Sequence, residues 1–559
     1  MKQPWWKKAV VYQIYPKSFY DTNGDGIGDL QGIMEKLDYL STLGVDVIWL
    51  TPIYESPQRD NGYDISDYFK INPAYGTMET FEKLLQLAHE KGIKVILDMV
   101  VNHTSTEHPW FKEAASSREN PFRHFYIWKE GKDGGAPNNW KSKFGGSAWQ
   151  FSEKTGQYYL HLFDVTQADL NWENEELRQR IYEMMRFWLN KGVDGFRLDV
   201  INLISKDQTF RNDTLDSPVN DGRRFYTDGP RVHEFLKEMN QEVFSKYPEI
   251  MTVGEMSSTS IENCVRYTNP KEEELNMTFN FHHLKVDYPG GEKWALSDMD
   301  FISLKRILRD WQVGMHQGGG WNALFWCNHD QPRVVSRFGN DQKYRKESAK
   351  MLATAIHLLQ GTPYIYQGEE IGMTNPNFER IDEYRDVESL NAYSRLIAEG
   401  KTNQEAIAIL KQKSRDNSRT PMQWSGEKHA GFTKGTPWIN VASNYKEINV
   451  EQALQDRDSV FYHYQKLIQL RKEVDLIVTG DFELLLEDHP QIFAYVRRDG
   501  DRALLVVNNF YAEETTFSLP EEVRFNGQSS VLIANYPDPP QHFLKFILRP
   551  YESVAFYIQ

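Results

Sequence analysis

From residue 11 to residue 370 short apolar runs alternate with amphipathic stretches, and few architectures accept that rhythm. The runs are VVYQIYP (core 11–16), VIWL (47–50), KVILDMV (94–100), DGFRLDV (194–200), MTVGEM (251–256), MTFNF (277–281), ALFWCNHD (323–330) and PYIYQGEE (363–370). Between the first two, Leu30, Ile33, Leu37 and Leu40 fall on one helical face. Before the third, Phe81, Leu84 and Ala88 do the same, and Gly92 stands where a helix ends on a left-handed residue. Eight such units predict an α/β fold, a (β/α)₈ barrel. A doubly wound open sheet shows a similar alternation, but no Gly-rich phosphate fingerprint follows the first run.

Two stretches break the rhythm. Residues 105–170 are irregular and rich in Gly, Pro, Asn and Trp, with short β-like pieces such as QYYLHLF. An insertion after the third strand lies at the catalytic end of a barrel. Residues 375–455 carry charged helical stretches, and from about residue 479 the pattern changes to alternating strands (IFAYVRR, RALLVVNNF, TTFSL, SVAFYI). The expected organisation is a barrel in two parts, 1–104 and 171–478, with an inserted domain over 105–170 and an antiparallel β-domain over 479–559.

The formal net charge of −15 opposes nucleic acid and anionic lipid, so a small-molecule partner is expected. An anionic ligand would need a local cationic pocket against that field. Cys264 and Cys327 are the only cysteines, which suits a reducing compartment. The segment MKQPWWKKAVVYQIYP lacks the apolar region of a secretory signal, and no run of about 18 apolar residues occurs. A cytoplasmic protein is expected, with its oligomeric state open. Aromatics make up 13% of the chain, enough either for sugar stacking or for a large aromatic core.

Acids end several runs: Asp98, Asp199, Glu255 and Asp330, with Asp60 in the loop after the second. In a barrel these strand ends converge, and buried acids are costly unless paired or functional. Glycoside cleavage needs one ionised carboxylate beside the anomeric carbon and one protonated acid beside the leaving oxygen. Arg197 lies two residues before Asp199, on the same side of its strand, where it would hold that carboxyl ionised. His103 and His329, each beside a strand-end motif, are candidate donors to sugar hydroxyls.

DMVVNH (98–103), GFRLDV (195–200), VGEM (253–256) and NHD (328–330) resemble the four sequence regions of the α-amylase superfamily, glycoside hydrolase family 13. The resemblance covers essentially the full chain. It implies a catalytic barrel, a domain B after the third strand and a C-terminal β-domain. It makes Asp199 the nucleophile, Glu255 the general acid/base and Asp330 the transition-state stabiliser. Arg197 would orient the nucleophile, and Asp60, Tyr63, His103, Gln167, His329 and Arg415 would bind the non-reducing glucose. Retention of configuration predicts the carboxyls of Asp199 and Glu255 roughly 5–5.5 Å apart.

NGYDISDY (61–68), DVIN (199–202) and RDNSRTPMQW (415–424) are similar to the oligo-1,6-glucosidase branch. Val200 resembles the choice of enzymes that do not prefer α-1,4 bonds. Ala168, in QADLNW, stands where isomaltose-cleaving relatives typically carry Pro, which points away from plain isomaltase activity. The segments at 220–236, 279–296 and 318–339 are similar to the family's phospho-α-(1,1)-glucosidases. That implies hydrolysis of trehalose 6-phosphate to glucose and glucose 6-phosphate, with no organic cofactor. The alternative is an oligo-1,6-glucosidase, or a related transglucosidase, on unphosphorylated sugars. Lys285 and Lys293, just past the sixth run, are either phosphate contacts or solvated surface charges. Arg223 and Arg224 are further candidates, and His282 and His283 weaker ones.

DTNGDGIGD (21–29) sets Asp21, Asn23, Asp25 and Asp29 at EF-hand-like positions, but Gly32 stands where the closing Glu would be. With the carbonyl of Ile27 the loop is a candidate structural Ca²⁺ site, with Mg²⁺ less comfortable. An acidic turn without metal is the other reading.

Overall fold

A computed structural model of the chain describes residues 3–214, 220–525 and 527–559. Each of the eight apolar runs contains a strand: β1 (Val11–Ile14), β2 (Val47–Leu50), β3 (Lys94–Met99), β4 (Gly195–Leu198), β5 (Met251–Glu255), β6 (Met277–Phe279), β7 (Ala323–Leu324) and β8 (Thr362–Tyr366). They pair in parallel in the order β6-β5-β4-β3-β2-β1-β8-β7. A single parallel bridge, Thr278 opposite Asn322, closes the ring between β6 and β7. Nearly every residue of these strands is buried, as expected of a sheet covered on both faces.

The covering helices follow from local sequence. Met78–Glu90 starts at a Thr77–Thr80 capping box and turns Phe81, Leu84, Leu85 and Ala88 inward. Gly92, at φ +73°, then reverses the chain into β3. Glu175–Asn190, Val232–Glu242, Ile261–Thr268, Phe301–Gly318, Arg345–His357 and Val460–Glu473 complete the outer layer after Leu30–Glu35 and Leu37–Leu43.

The excursion after β3 is held at its neck by His103–Ser105 pairing antiparallel with Gln167–Asp169. Within it Gln157–Leu160 is the centre of a three-stranded sheet flanked by Trp128–Lys129 and Trp149–Ser152. Trp140 and Trp149 pack there against Val200, Phe210 and Phe225 from the segment after β4, so the excursion and that loop share one core. A second excursion after β8 brings Val387–Ala398, Asn403–Lys413 and Asp416–Arg419 back over the barrel mouth.

At the far end a five-stranded antiparallel sheet runs Glu483–Leu485, Ile492–Asp499, Arg502–Asn509, Ser553–Ile558, Ser529–Ala534. Lys305, on the helix Phe301–Gly318, donates to the carbonyls of Leu486, His489 and Ile492 at 3.0, 2.7 and 3.1 Å and fastens this sheet to the barrel. Among the described residues no helix is long and apolar enough to cross a membrane.

Candidate active site

The barrel ladder itself assembles the acids. Arg197 is opposite Asp98 in the β3–β4 register, and Leu198 is opposite Gly254, one residue before Glu255. From that position the buried guanidinium reaches three carboxyls. Nη1 lies 2.7 Å from Asp98 and 2.6 Å from Asp199, and Nη2 lies 2.6 Å from Glu255. Trp49 and Tyr63 donate to the other oxygen of Asp98 at 3.1 and 2.9 Å. The peptide N–H of Val200 donates to Glu255 Oε2 at 3.1 Å. Val200 does so from φ 36°, a left-handed conformation that is strained for a β-branched residue.

On the opposite side of the mouth Asp330 accepts from Arg415 Nη1 at 3.2 Å and from Arg419 Nη2 at 2.7 Å. Arg415 also donates to Asp60 at 2.9 Å and pairs with Asp386 and Glu388. Gln167 Nε2 donates to the second oxygen of Asp60 at 3.0 Å. Gln13 Nε2 donates to His329 Nδ1 at 2.7 Å, which leaves the proton on Nε2. That nitrogen sits 3.2 Å from Asp330 yet has no hydrogen-bond partner, so a buried donor is left for a ligand. Tyr63 stacks on the His329 ring with centroids 5.1 Å apart. His103 is already engaged, accepting from Asn102 at 3.2 Å and donating to the Tyr63 carbonyl at 3.1 Å.

Burial and these charges split the acids. Burial pushes Glu255 up to about 8, with Asp199 and Asp330 adding to the rise and Arg197 opposing it. Burial also raises Asp199, to about 7, against the pull of Arg197. Asp330 is the reverse: burial works to raise it, but His329, Arg415, Arg419 and Arg197 hold it well below the ordinary carboxylate range. His329 is driven down to about 3 by burial and stays neutral.

These groups surround a cavity of about 370 Å³. Asp199, Glu255, Asp330, Asp60, Tyr63, His103 and Arg415 line it, as do Lys285, Lys293 and Arg223. Arg197, Gln167 and His329 lie immediately behind its wall, almost wholly buried. The remaining cationic candidates fall elsewhere. Arg224 pairs with Asp213 at 2.9 Å, His283 bonds the Phe325 carbonyl, and His282 lines a neighbouring depression. Lys293 is at the wall but pairs with Glu388 at 2.7 Å. Lys285 makes no ion pair among the described residues. Residues passed over in the sequence also reach the site: Lys143, Phe144 and Phe163 from the first excursion, Glu388, Asp386 and Arg419 from the second.

In the loop 21–29, Asp21 accepts the N–H groups of Asn23, Gly24 and Gly26, Asn23 that of Asp25, and Asp25 that of Ile27. Asp29 binds Thr22 and caps the helix that follows through Gly32. Among the described residues no group of three or more His, Cys, Asp or Glu side chains is placed to hold a metal ion. The loop's donors are nonetheless all hard oxygens, the set that suits Ca²⁺.

Comparison with known proteins agrees with this geometry. Residues 13–480 match the α-amylase catalytic domain, and residues 492–555 match the C-terminal domain of the SusG α-amylase. The chain is 64% identical over 554 residues to the trehalose-6-phosphate hydrolase of Bacillus subtilis (strain 168), covering 99% of this chain and 98% of that one. It is 54% identical to the oligo-1,6-glucosidase of Bacillus cereus, over all of both chains. The crystal structure of the trehalose-6-phosphate hydrolase of Bacillus licheniformis superimposes with a TM-score of 0.95 at 67% identity, covering 100% of each chain. The protein is a glycosidase with a (β/α)₈ catalytic barrel, and it belongs to the α-amylase family.

Proposed function

We propose that this chain hydrolyses trehalose 6-phosphate to glucose and glucose 6-phosphate with retention of configuration. The observation that carries this is one cavity lined by both acidic and cationic side chains. Glu255, Asp199 and Asp330 line it together with Lys285, which makes no ion pair among the described residues. The identity to trehalose-6-phosphate hydrolases over nearly the whole chain supports the same substrate.

The unphosphorylated glucose sits against Asp60, Tyr63, Asp330 and Arg415, with the free Nε2–H of His329 given to one of its hydroxyls. Asp199, held by Arg197, attacks the anomeric carbon. Glu255 gives its proton to the departing oxygen of glucose 6-phosphate. Its high pKa keeps that proton in place at neutral pH. Asp330, ionised throughout, offsets the positive charge that develops on the ring. Glu255, now a base, takes a proton from water, and the hydroxide displaces Asp199 and frees glucose. That Arg197 touches both Asp199 and Glu255 supports the short carboxyl separation of a retaining enzyme over the wider gap that admits water directly.

The phosphate belongs at the Lys285 wall, with Arg223 and Lys293 close by. Hydrolysis of unphosphorylated α-1,6-glucosides is the competing reading, favoured by the 54% identity to an oligo-1,6-glucosidase. Comparing kcat/KM for trehalose 6-phosphate, trehalose and isomaltose decides between them, and preference for isomaltose overturns the proposal. Both cysteines are free and buried, which suits a reducing, cytoplasmic setting. The loop 21–29 is assigned a structural Ca²⁺ held by Asp21, Asn23, Asp25, Asp29 and the Ile27 carbonyl, without a part in the chemistry.

A further inference from the structure

Lys143 was not among the cationic residues singled out in the sequence, yet it lines the same cavity as Asp199, Glu255 and Lys285. Its segment is pinned on several sides. Lys141 N donates to the Asp221 carbonyl at 3.0 Å, Lys143 N to the Leu162 carbonyl at 2.8 Å, and Ser142 Oγ to the Phe163 carbonyl at 2.6 Å. Across the seam Gly222, at φ +86°, lies so close to the Trp140 ring that a Cβ there would come within 2.4 Å of it. The loop that carries Asp221 and Arg223 is thereby locked against the inserted domain.

The ammonium group has little to hold. Among the described residues it donates one hydrogen bond, to Ser257 Oγ at 3.1 Å, and makes no ion pair. Burial is the main cause that lowers its pKa, to about 8, with the charges of Arg223 and Lys285 acting in the same direction and those of Asp221 and Glu255 opposing. Arg223 is already bonded to Asp221 at 2.7 Å, and Lys293 to Glu388 at 2.7 Å. The uncompensated positive charge at this wall therefore resides on Lys143 and Lys285. Two like charges brought together beside an acidic site cost free energy that an arriving anion would return. A sugar phosphate carries about −1.5 to −2 at neutral pH, which matches them.

We infer that Lys143, presented by the inserted domain, is a phosphate-binding and specificity-determining residue of this cavity, acting together with Lys285 of the loop after β6. This rests on the functional reading above and adds to it a contact from a different domain. Substrate recognition then spans the seam between the barrel and its insertion.

The test measures kcat/KM for trehalose 6-phosphate and for p-nitrophenyl α-glucoside in wild type, K143M and K143R, with glucose 6-phosphate as competitive inhibitor of the aryl glucoside reaction. In K143M the ratio of the two kcat/KM values falls about 100-fold, mostly through KM, and the inhibition constant of glucose 6-phosphate rises comparably. K143R restores most of both. The folded, active fraction of each preparation is common to both substrates and cancels from the ratio. A K143M enzyme that keeps the wild-type ratio and inhibition constant overturns the role of Lys143 alone. A wild type that does not prefer trehalose 6-phosphate over trehalose overturns the functional reading, and this inference with it.

Discussion

Glu255 accepts the peptide N–H of Val200 at 3.1 Å, which ties the proposed acid/base to the backbone next to the proposed nucleophile, Asp199. The two functions are thus fixed relative to one another by main chain, and their protonation is coupled through Arg197. The proposed mechanism requires Asp199 ionised and Glu255 protonated. Glu255 sits at about 8, so its proton is kept below that pH and lost above it. Asp199 sits at about 7 and must lose its proton for attack. A bell-shaped kcat/KM profile is expected, with a narrow top between these values and apparent constants that belong to the pair. Glu255→Gln should lose the alkaline limb and about 10²–10⁴-fold in rate on substrates with poor leaving groups. An alkaline limb that persists in this variant would mean another group supplies the proton.

Asp330 does not titrate in the working range, because its cationic neighbours hold it far below ordinary carboxylates. Asp330→Asn should therefore lower kcat by about 10²–10³-fold through lost stabilisation of the ring cation. Its charge also helps raise Glu255. Removing it should move the alkaline limb to lower pH while leaving a two-limbed profile. A limb that stays in place or moves upward contradicts the electrostatic arrangement described above.

Arg197 is the cation shared by Asp98, Asp199 and Glu255, all buried. Arg197→Met leaves those carboxyls without their cationic partner, and a loss of roughly 3–5 kcal/mol in stability is expected, typical of removing one member of a buried charge cluster. Arg197→Lys keeps the charge but cannot span three carboxyls with one ammonium, so kcat should stay depressed although part of the stability returns. Thermal unfolding and kcat on the same preparations check both. A methionine variant as stable as wild type would show that the acids are protonated in the resting protein.

The fold was legible because a barrel strand buried on both faces writes itself as an apolar run, and all eight runs contain a strand. The acids were legible for the same reason: a charged residue ending such a run has nowhere to go but the mouth of the barrel. The ladder then brings Arg197 opposite Asp98 with no further information. Lys143, Asp386, Glu388 and Arg419 escaped because they lie in the two excursions, where no periodicity says which face a side chain takes. Arg419 was within reach, since RDNSRTPMQW contains it along with Arg415. The Lys293–Glu388 pair joins residues 95 apart in the chain, a contact made only by tertiary folding. Sequence position alone could not separate Lys293, already paired, from Lys285, which makes no ion pair among the described residues.

The loop 21–29 gives the last prediction. Among the described residues the exposed Asp25 carboxylate accepts only the Ile27 N–H, so Asp25→Ala should remove a candidate metal ligand with little damage to packing. Asp21 is different: it holds three backbone N–H groups of the loop and Thr433, and its loss would disturb the fold with or without an ion. If Ca²⁺ binds the folded chain here, Tm should rise with the logarithm of free Ca²⁺ and fall on chelation. Mg²⁺, which demands tighter octahedral geometry, should raise it less. Asp25→Ala should flatten that dependence while kcat at low temperature stays near wild type, because Asp199, Glu255 and Asp330 line a cavity to which the loop contributes no residue. Equal Ca²⁺ dependence in wild type and Asp25→Ala would assign the ion to another place, and no dependence in either would leave 21–29 an acidic turn closed by its own backbone.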